Sequence, residues 1–366
     1  MLCLIKGLGR GGAELLLEAQ VRAGDRARFD YHVGYLSPHK DALVGALAAV
    51  GTPPTCLAAT SSTDLRWLPR LRRLLVDRRI EVIHVHSPVA AAGARLVART
   101  LPGRRRPRVV TTEHNMWQTH VRATRAADRA TAWLDDAHLA VSVAVRSSLP
   151  PRLQDRTEII RHGIDTAAVV AQRTERASVR HELGLGADEL VVGTVANLRL
   201  TKGWPDLLHA ARHVLDAVDG VTFVAVGQGP MEEEIRALHR RLELGDRFRL
   251  LGFRPDAVRL MAGCDVFCLA SHHEGLPVAV MEAMALGLPV VATDVGGLRE
   301  LVTDRLHGRL VPAHRPDLLA EALRDLLTDA PARGTAAAAA AAEGAALSAE
   351  RSIQRVEAIY QALARE

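Results

Sequence analysis

The chain has 366 residues, 48% hydrophobic and 24% charged, with 47 basic against 42 acidic side chains. That length can bury two cores of ordinary domain size, while no apolar run approaches the roughly 20 residues of a membrane-spanning helix. Met1-Leu-Cys-Leu-Ile-Lys6 is too short an apolar core for a signal peptide, and Cys3, Cys56, Cys264 and Cys268 lack the spacing of a disulfide framework, so a cytoplasmic chain with reduced thiols is expected. Charge is uneven: residues 1–150 hold 22 basic and 12 acidic side chains, residues 151–366 hold 25 and 30. The basic half suggests an anionic partner such as a membrane surface, a lipid phosphate or an acidic polymer; nucleic acid is not expected.

In chain order, Leu2–Ile5 reads as a buried strand that runs into Gly7-Leu-Gly9-Arg-Gly11-Gly12-Ala-Glu14 and a helix over Glu14–Val21. Glycines let the backbone approach a phosphate, and the helix start favours its charge. Gly7, Gly9 and Gly12 also fit G-x-G-x-x-G, with Asp30 about 20 residues on, so an NAD-dependent oxidoreductase is an alternative reading. Tyr31–Tyr35 is the next strand. Leu65–Arg79 is apolar on one face and basic on the other, which fits a helix covering a sheet or touching anionic lipid. The strand Val82–Val85 puts His84 and His86 on one face, a zinc-like pair with no third ligand nearby. Val109–Thr112 places His114 at a strand's carboxyl end, where an imidazole can polarise a hydroxyl or a phosphate. Leu139–Ser142 completes the first run of strands.

A polar, Arg-rich segment within Ile160–Asp188 separates this run from a second, Val191–Ala196, Val221–Val226, Arg249–Leu251, Val266–Ala270 and Val290–Thr293. Two runs of β–α alternation imply two doubly wound α/β units, which bind ligands outside the carboxyl ends of their strands. After the first strand of the second run stands Asn197-Leu-Arg199-Leu-Thr-Lys202-Gly203, a cation pair suited to a diphosphate. Only Lys6, Lys40 and Lys202 are lysine, so Lys202 marks a place for a compact ammonium. Cys264 and Cys268 are expected on one face of a strand. That strand is followed by Ser271-His-His-Glu274-Gly275-Leu276-Pro277-Val278-Ala-Val-Met-Glu282, a loop and helix start with Pro277 at the first helical position and Gly287 at the end. Free N–H groups there suit an anion, and two carboxylates beside it suit hydroxyls, so the ligand carries both: a nucleotide sugar. No Asp-x-Asp occurs, so no metal ion is expected on the diphosphate and no cofactor is needed. The Ala-rich stretch Pro331–Ala349 and the periodic Ile353–Leu363 read as terminal helices.

These segments resemble the retaining GT-B-fold glycosyltransferases of family 4 (group 1). The resemblance runs through Gly-Gly-Ala-Glu14, Val-Ile-His-Val-His86, Thr-Thr-Glu-His114, Ile-Arg-His-Gly-Ile-Asp165, Leu-Arg-Leu-Thr-Lys-Gly203, Val-Gly-Gln-Gly229, Leu-Leu-Gly-Phe253, the two-glutamate segment and Gly-Gly-Leu-Arg-Glu300. It implies two Rossmann-like domains facing across a cleft, 1–165 on the acceptor side and 166–345 on the donor side, with 346–366 crossing back to the first. It implies that Glu282 binds the donor ribose and that Glu274 contacts the transferred sugar. Gly275, Leu276, Pro277 and Val278 would meet sugar and diphosphate, and Arg199 and Lys202 would neutralise the leaving group. Asn197, Gly227, Gly252 and Phe253 would line the nucleotide. Gly11 and Gly12 would close on the phosphate, and His114 would sit at the reacting sugar. The acceptor would be a glycan, a lipid-linked or a small molecule. Two departures from the family pattern are Asn197, where an arginine often stands, and His162, where an asparagine is usual.

Overall fold

The computed structural model describes residues 1–61 and 63–365. They form two compact units, Met1–Gly163 with the C-terminal segment from Ala349, and Ile164–Ser348. The second unit begins and ends side by side: the N–H of Ile164 donates to Leu347 O at 2.8 Å, and Ile164 bridges Ser348. The changes of unit therefore fall at 163/164 and 348/349, where the sequence reading had 165/166 and 345/346.

The first unit carries a parallel sheet in the order β3-β2-β1-β4-β5-β6-β7. Its strands are β1 (Leu2–Ile5), β2 (His32–Tyr35), β3 (Thr55–Cys56), β4 (Val82–Val85), β5 (Arg108–Glu113), β6 (Ala137–Ala140) and β7 (Thr157–Ile159). β1 and β4 are buried along their whole length, as central parallel strands covered on both faces must be. Leu139–Ser142 was displaced as a strand because Ser142 has another task. Its Oγ accepts from the N–H of Val145 at 3.1 Å and caps the helix Val143–Ser148. The helix Trp67–Asp77 buries Trp67, Leu71 and Leu75 in the core beside the sheet, so the apolar face of Leu65–Arg79 is committed to packing.

The C-terminal helix Ala349–Arg365 packs Val356 and Tyr360 against Val82, Val110 and Leu139. Polar contacts hold it there. Tyr31 Oη donates to Glu357 Oε1 at 2.7 Å, the N–H of Asp25 donates to the same atom at 2.8 Å, and Gln20 Nε2 donates to Tyr360 Oη at 2.6 Å. Tyr360 Oη also bonds His84 Nδ1.

The second unit carries a parallel sheet in the order β10-β9-β8-β11-β12-β13. The strands are β8 (Leu190–Val195), β9 (Val221–Val226), β10 (Phe248–Leu250), β11 (Val266–Leu269), β12 (Val290–Thr293) and β13 (Gly308–Val311). Cys264 lies before β11 and not on one strand face with Cys268; both thiols are free and buried. The Ala-rich stretch forms the helix Ala330–Ala345, whose buried stripe is Ala336, Ala340 and Gly344. It packs on the helix Val278–Leu286 so tightly that a Cβ on Gly344 would stand 2.4 Å from Ala285 N. No helix among the described residues is long and apolar enough to cross a membrane.

Replacing Tyr360 by Phe should remove about 1–3 kcal/mol of stability, because the buried Gln20 amide and His84 ring both lose their partner. Urea unfolding measures it. A loss below about 0.5 kcal/mol, the range of an ordinary surface change, would mean that the hydroxyl does not hold the helix.

Candidate functional site

In the second unit the order of strands reverses between β8 and β11, and the loops leaving their carboxyl ends diverge there, as at other nucleotide-binding switch points. β8 leads into Asn197 and a short 3-10 turn, Leu200–Lys202. β11 leads into Ser271–Pro277. The two loops are tied by backbone: the N–H groups of His272 and His273 donate to Thr201 O at 2.8 and 3.3 Å. A third loop, after β12, joins through Gly297 N–H to Gly275 O at 2.9 Å.

Within this seat Lys202 Nζ donates to Glu274 Oε1 at 2.6 Å, and Ser271 Oγ donates to the same oxygen at 2.6 Å. Ser271 is in turn held by Thr293, whose hydroxyl donates to Ser271 O. The Glu274 side chain is 7% exposed and that of Lys202 23%. Among the described residues Glu274 Oε2 has no hydrogen-bond partner, so it is the oxygen left for a ligand. Sequence reasoning gave Lys202 and Glu274 separate duties; the structure makes them one ion pair, a contact across 72 positions that no local pattern encodes.

Pro277 is not the first helical residue. Its extended ψ of 118° makes it the residue before the helix Val278–Leu286, whose first turn keeps free N–H groups, and Gly287 closes that helix at φ +82° as expected. Glu282, half-buried in the same helix, has no hydrogen-bond partner among the described residues. Burial pushes its carboxyl up to about 7.

The remaining donor-side candidates converge on the same end of the sheet. The N–H of Gly227 donates to Gly252 O at 2.9 Å, and the N–H of Leu198 to Gln228 O at 3.0 Å. A Cβ on Gly227 would lie 2.0 Å from Ala196 O, so only glycine admits this approach. Gly252 takes φ +69°. A small cavity lined by Leu198, Gly227, Arg236 and Gly252 opens there. Phe253 is 38% exposed. The backbone of Asn197 is fixed by Trp204 Nε1, which donates to Asn197 O at 3.0 Å. Arg199 is exposed and makes no side-chain ion pair among the described residues.

Gly11, Gly12 and His114 belong to the first unit. Gly11 precedes the helix Gly12–Ala23, and His114 follows β5. His86 Nδ1 and His114 Nε2 share a hydrogen bond of 3.0 Å, and the rings of His84 and His86 lie 4.1 Å apart. Gln20 donates to Tyr360 Oη, which leaves the tyrosine proton for His84 Nδ1; the His84 Nε2–H then serves Thr112 Oγ1 at 2.6 Å. Burial lowers the His114 imidazole to about 4 and that of His84 to about 3, with a smaller contribution from His114 for the latter, so both are neutral at pH 7. The His84–His86 pair thus works through hydrogen bonds, and a cavity beside it is lined by Gln20, His84, His86, His114, His162 and Val356. Sequence reasoning saw the shared face of the two histidines and missed the link to His114. The dinucleotide alternative fails on placement. Asp30 precedes β2, so it sits at the amino end of the strand and bonds His32 Nε2 at 3.0 Å, whereas the ribose-binding acid belongs near the carboxyl end.

Comparison with known proteins agrees with this geometry. A family model described as "Glycosyl transferases group 1" matches residues 175–343, and one described as "Glycosyltransferase Family 4" matches residues 10–168. The chain is 37% identical over 162 residues to the 2-deoxystreptamine N-acetyl-D-glucosaminyltransferase of Streptomyces fradiae, covering 43% of this chain and 38% of that one. It is 34% identical over 184 residues to the D-inositol 3-phosphate glycosyltransferase of Xylanimonas cellulosilytica, covering 48% of this chain and 44% of that one. The chain therefore spans less than half the length of these curated relatives. Anabaena Alr3699/HepE, solved with UDP and glucose, superposes with a TM-score of 0.86 at 23% identity over 99% of each chain.

The raised carboxyl of Glu282 has a stability consequence. Its folded value, about 7, exceeds its ordinary value, 4.5, so the folded state holds the extra proton between those limits. The sign is fixed: Glu282 favours folding most below about pH 4.5, and that advantage is lost as pH rises through about 7. Melting temperatures of Glu282→Gln and the parent protein, compared from pH 4.5 to 8, should diverge upward in favour of the variant. Parallel curves would show that the carboxyl is not perturbed.

Proposed function

We propose that this chain, whose halves match the family 4 and group 1 glycosyltransferase models and which has the GT-B fold, transfers a hexosyl-type sugar from a UDP- or GDP-linked donor to an acceptor hydroxyl, with retention of anomeric configuration and without a metal ion on the diphosphate. The observation that carries this reading is the Lys202–Glu274 pair at the switch point of the second unit, with the unpartnered Glu282 about one turn into the helix that follows.

In this reading the donor diphosphate lies over the N–H groups at the start of the helix Val278–Leu286 and draws on the ammonium of Lys202 and the free guanidinium of Arg199. Glu282 accepts from the ribose hydroxyls, while Gly227, Gly252 and Phe253 border the base. The bond between the sugar's anomeric carbon and the diphosphate oxygen breaks, and Glu274 offsets the positive charge that grows on the sugar. The acceptor hydroxyl forms the new bond on the face that the diphosphate leaves, and its proton passes to the departing oxygen. Fixed charges that need no reorganisation supply the rate enhancement. Within the first unit, His114 offers a neutral imidazole and the helix Gly12–Ala23 its opening N–H groups, suited to a hydroxyl and an anion respectively.

The relatives named for 2-deoxystreptamine and D-inositol 3-phosphate favour a small polyhydroxylated acceptor. A lipid-linked acceptor instead fits the exposed Arg72, Arg73, Arg78 and Arg79, whose charge suits an anionic membrane.

UDP or GDP should raise the melting temperature of the protein, NAD should leave it unchanged, and one nucleotide sugar should be slowly hydrolysed. Glu274→Ala and Lys202→Ala should each cost roughly 100- to 1000-fold in turnover, the measured worth of one such electrostatic contact. Stabilisation by NAD alone, or near-normal turnover in both variants, would overturn the assignment.

A further inference from the structure

A second group of ligating side chains stands beside the donor loops and takes no part in the chemistry proposed above. Asp206 lies in the first turn of the helix Trp204–Ala217, His272 in the loop after β11, and His314 in the loop after β13. One ligand atom from each lies within 4.8 Å of the others. We propose that Asp206, His272 and His314 bind one divalent ion of the zinc class.

The geometry points to this in three ways. Asp206 Oδ2 is 2.8 Å from His272 Nε2 and 3.9 Å from His314 Nδ1. Ligand atoms around a tetrahedral zinc with bonds of about 2.0–2.1 Å stand roughly 3.3 Å apart, so the two distances bracket what the ion needs. The donor set is two imidazoles and one carboxylate. That set suits zinc and its neighbours, and not magnesium or calcium, which take oxygen ligands. Finally, among the described residues His314 has no other partner that explains its place. Its backbone adopts φ +60°, a conformation that costs a residue with a Cβ, and this brings its ring to 3.8 Å from that of His272. The 3.9 Å approach to Asp206 is too long for a hydrogen bond, so His314 adds nothing to the His272–Asp206 contact unless something sits between them.

Three protein ligands leave the fourth position to water. The ion would tie together the loops that follow β11 and β13 and the helix that follows β8. His272 already donates its N–H to Thr201 O, beside Lys202, and stands two residues from Glu274. Binding therefore stiffens the backbone that carries the ion pair without touching the diphosphate, so it is compatible with metal-independent transfer.

The test uses the full chain without an affinity tag, titrated with Co2+ by visible absorption and with Zn2+ by calorimetry. The expected result is one equivalent bound, with the absorption bands of tetrahedral cobalt, and a melting temperature raised by Zn2+. His314→Ala should weaken binding at least tenfold and abolish the thermal shift. His314 is 69% exposed, so the metal-free variant should melt as the parent does. Asp206→Asn should also weaken binding, and if it impairs folding His314→Ala alone decides. No stoichiometric binding, or unchanged affinity in His314→Ala, would overturn the proposal; the latter would place the ion elsewhere among the chain's 16 histidines.

Discussion

The candidate site of the second unit depends on the absence of two side chains. A Cβ on Gly203 would fall 1.9 Å from Ala270 O, and a Cβ on Gly296 would fall 1.9 Å from Glu274 O. Both glycines take left-handed φ, +61° and +56°. Any larger residue at either place must push a loop away from the end of β11 and bear the cost of that conformation as well. Because Lys202 directly precedes Gly203, the same approach that seats the loop delivers the ammonium to Glu274. Packing and charge placement are here one event.

The two glutamates of that segment acquire opposite surroundings from it. Glu274 has a cation and a hydroxyl on a single oxygen, so its charge is balanced before any ligand arrives. Glu282 has neither, and burial makes its proton hard to lose. A paired carboxylate keeps its orientation while it waits for a charge that develops in the reaction. An unpaired one gains its hydrogen bonds only from the ligand, so its desolvation is compensated on binding. In the proposed function the two carboxylates of one motif divide between catalysis and recognition, according to which of them Lys202 reaches.

Much of this could be read in the chain before its fold. The central strands are largely apolar runs, and the residues assigned to the donor side fall in loops after the carboxyl ends of strands of the second unit, or, for Val278 and Glu282, in the helix that follows one of them. What escaped is what apolar patterning does not carry. β3 and β7 are edge strands of two and three residues, and β13 opens on Gly308, which can pair with β12 because it has no Cβ; one there would lie 1.9 Å from Val290 O. Pro277 was misplaced by one position because proline suits both sides of a helix start. Asp30 matched a spacing and not a direction: counting residues cannot tell which end of β2 an acid occupies. The Lys202–Glu274, His86–His114 and Asp206–His272 contacts all join segments far apart in sequence, where only topology decides who meets whom.

The histidines of the first unit show how far such dependence extends. His84 lies within β4, His86 and His114 follow the ends of β4 and β5, and burial keeps each neutral by penalising the charged ring. Yet the orientation of His84 comes from Tyr360, on the last helix of the chain. That helix belongs to the first unit although 185 residues of the second unit, from Ile164 to Ser348, are made before it. The hydroxyl of Tyr360 accepts a hydrogen bond from Gln20 Nε2 and donates one to His84 Nδ1, which fixes the tautomer of one ring and so the packing surface offered to His86. His86 in turn holds His114. The strands therefore place these rings, and the C-terminal helix sets the hydrogen bonding of His84, the first of the three.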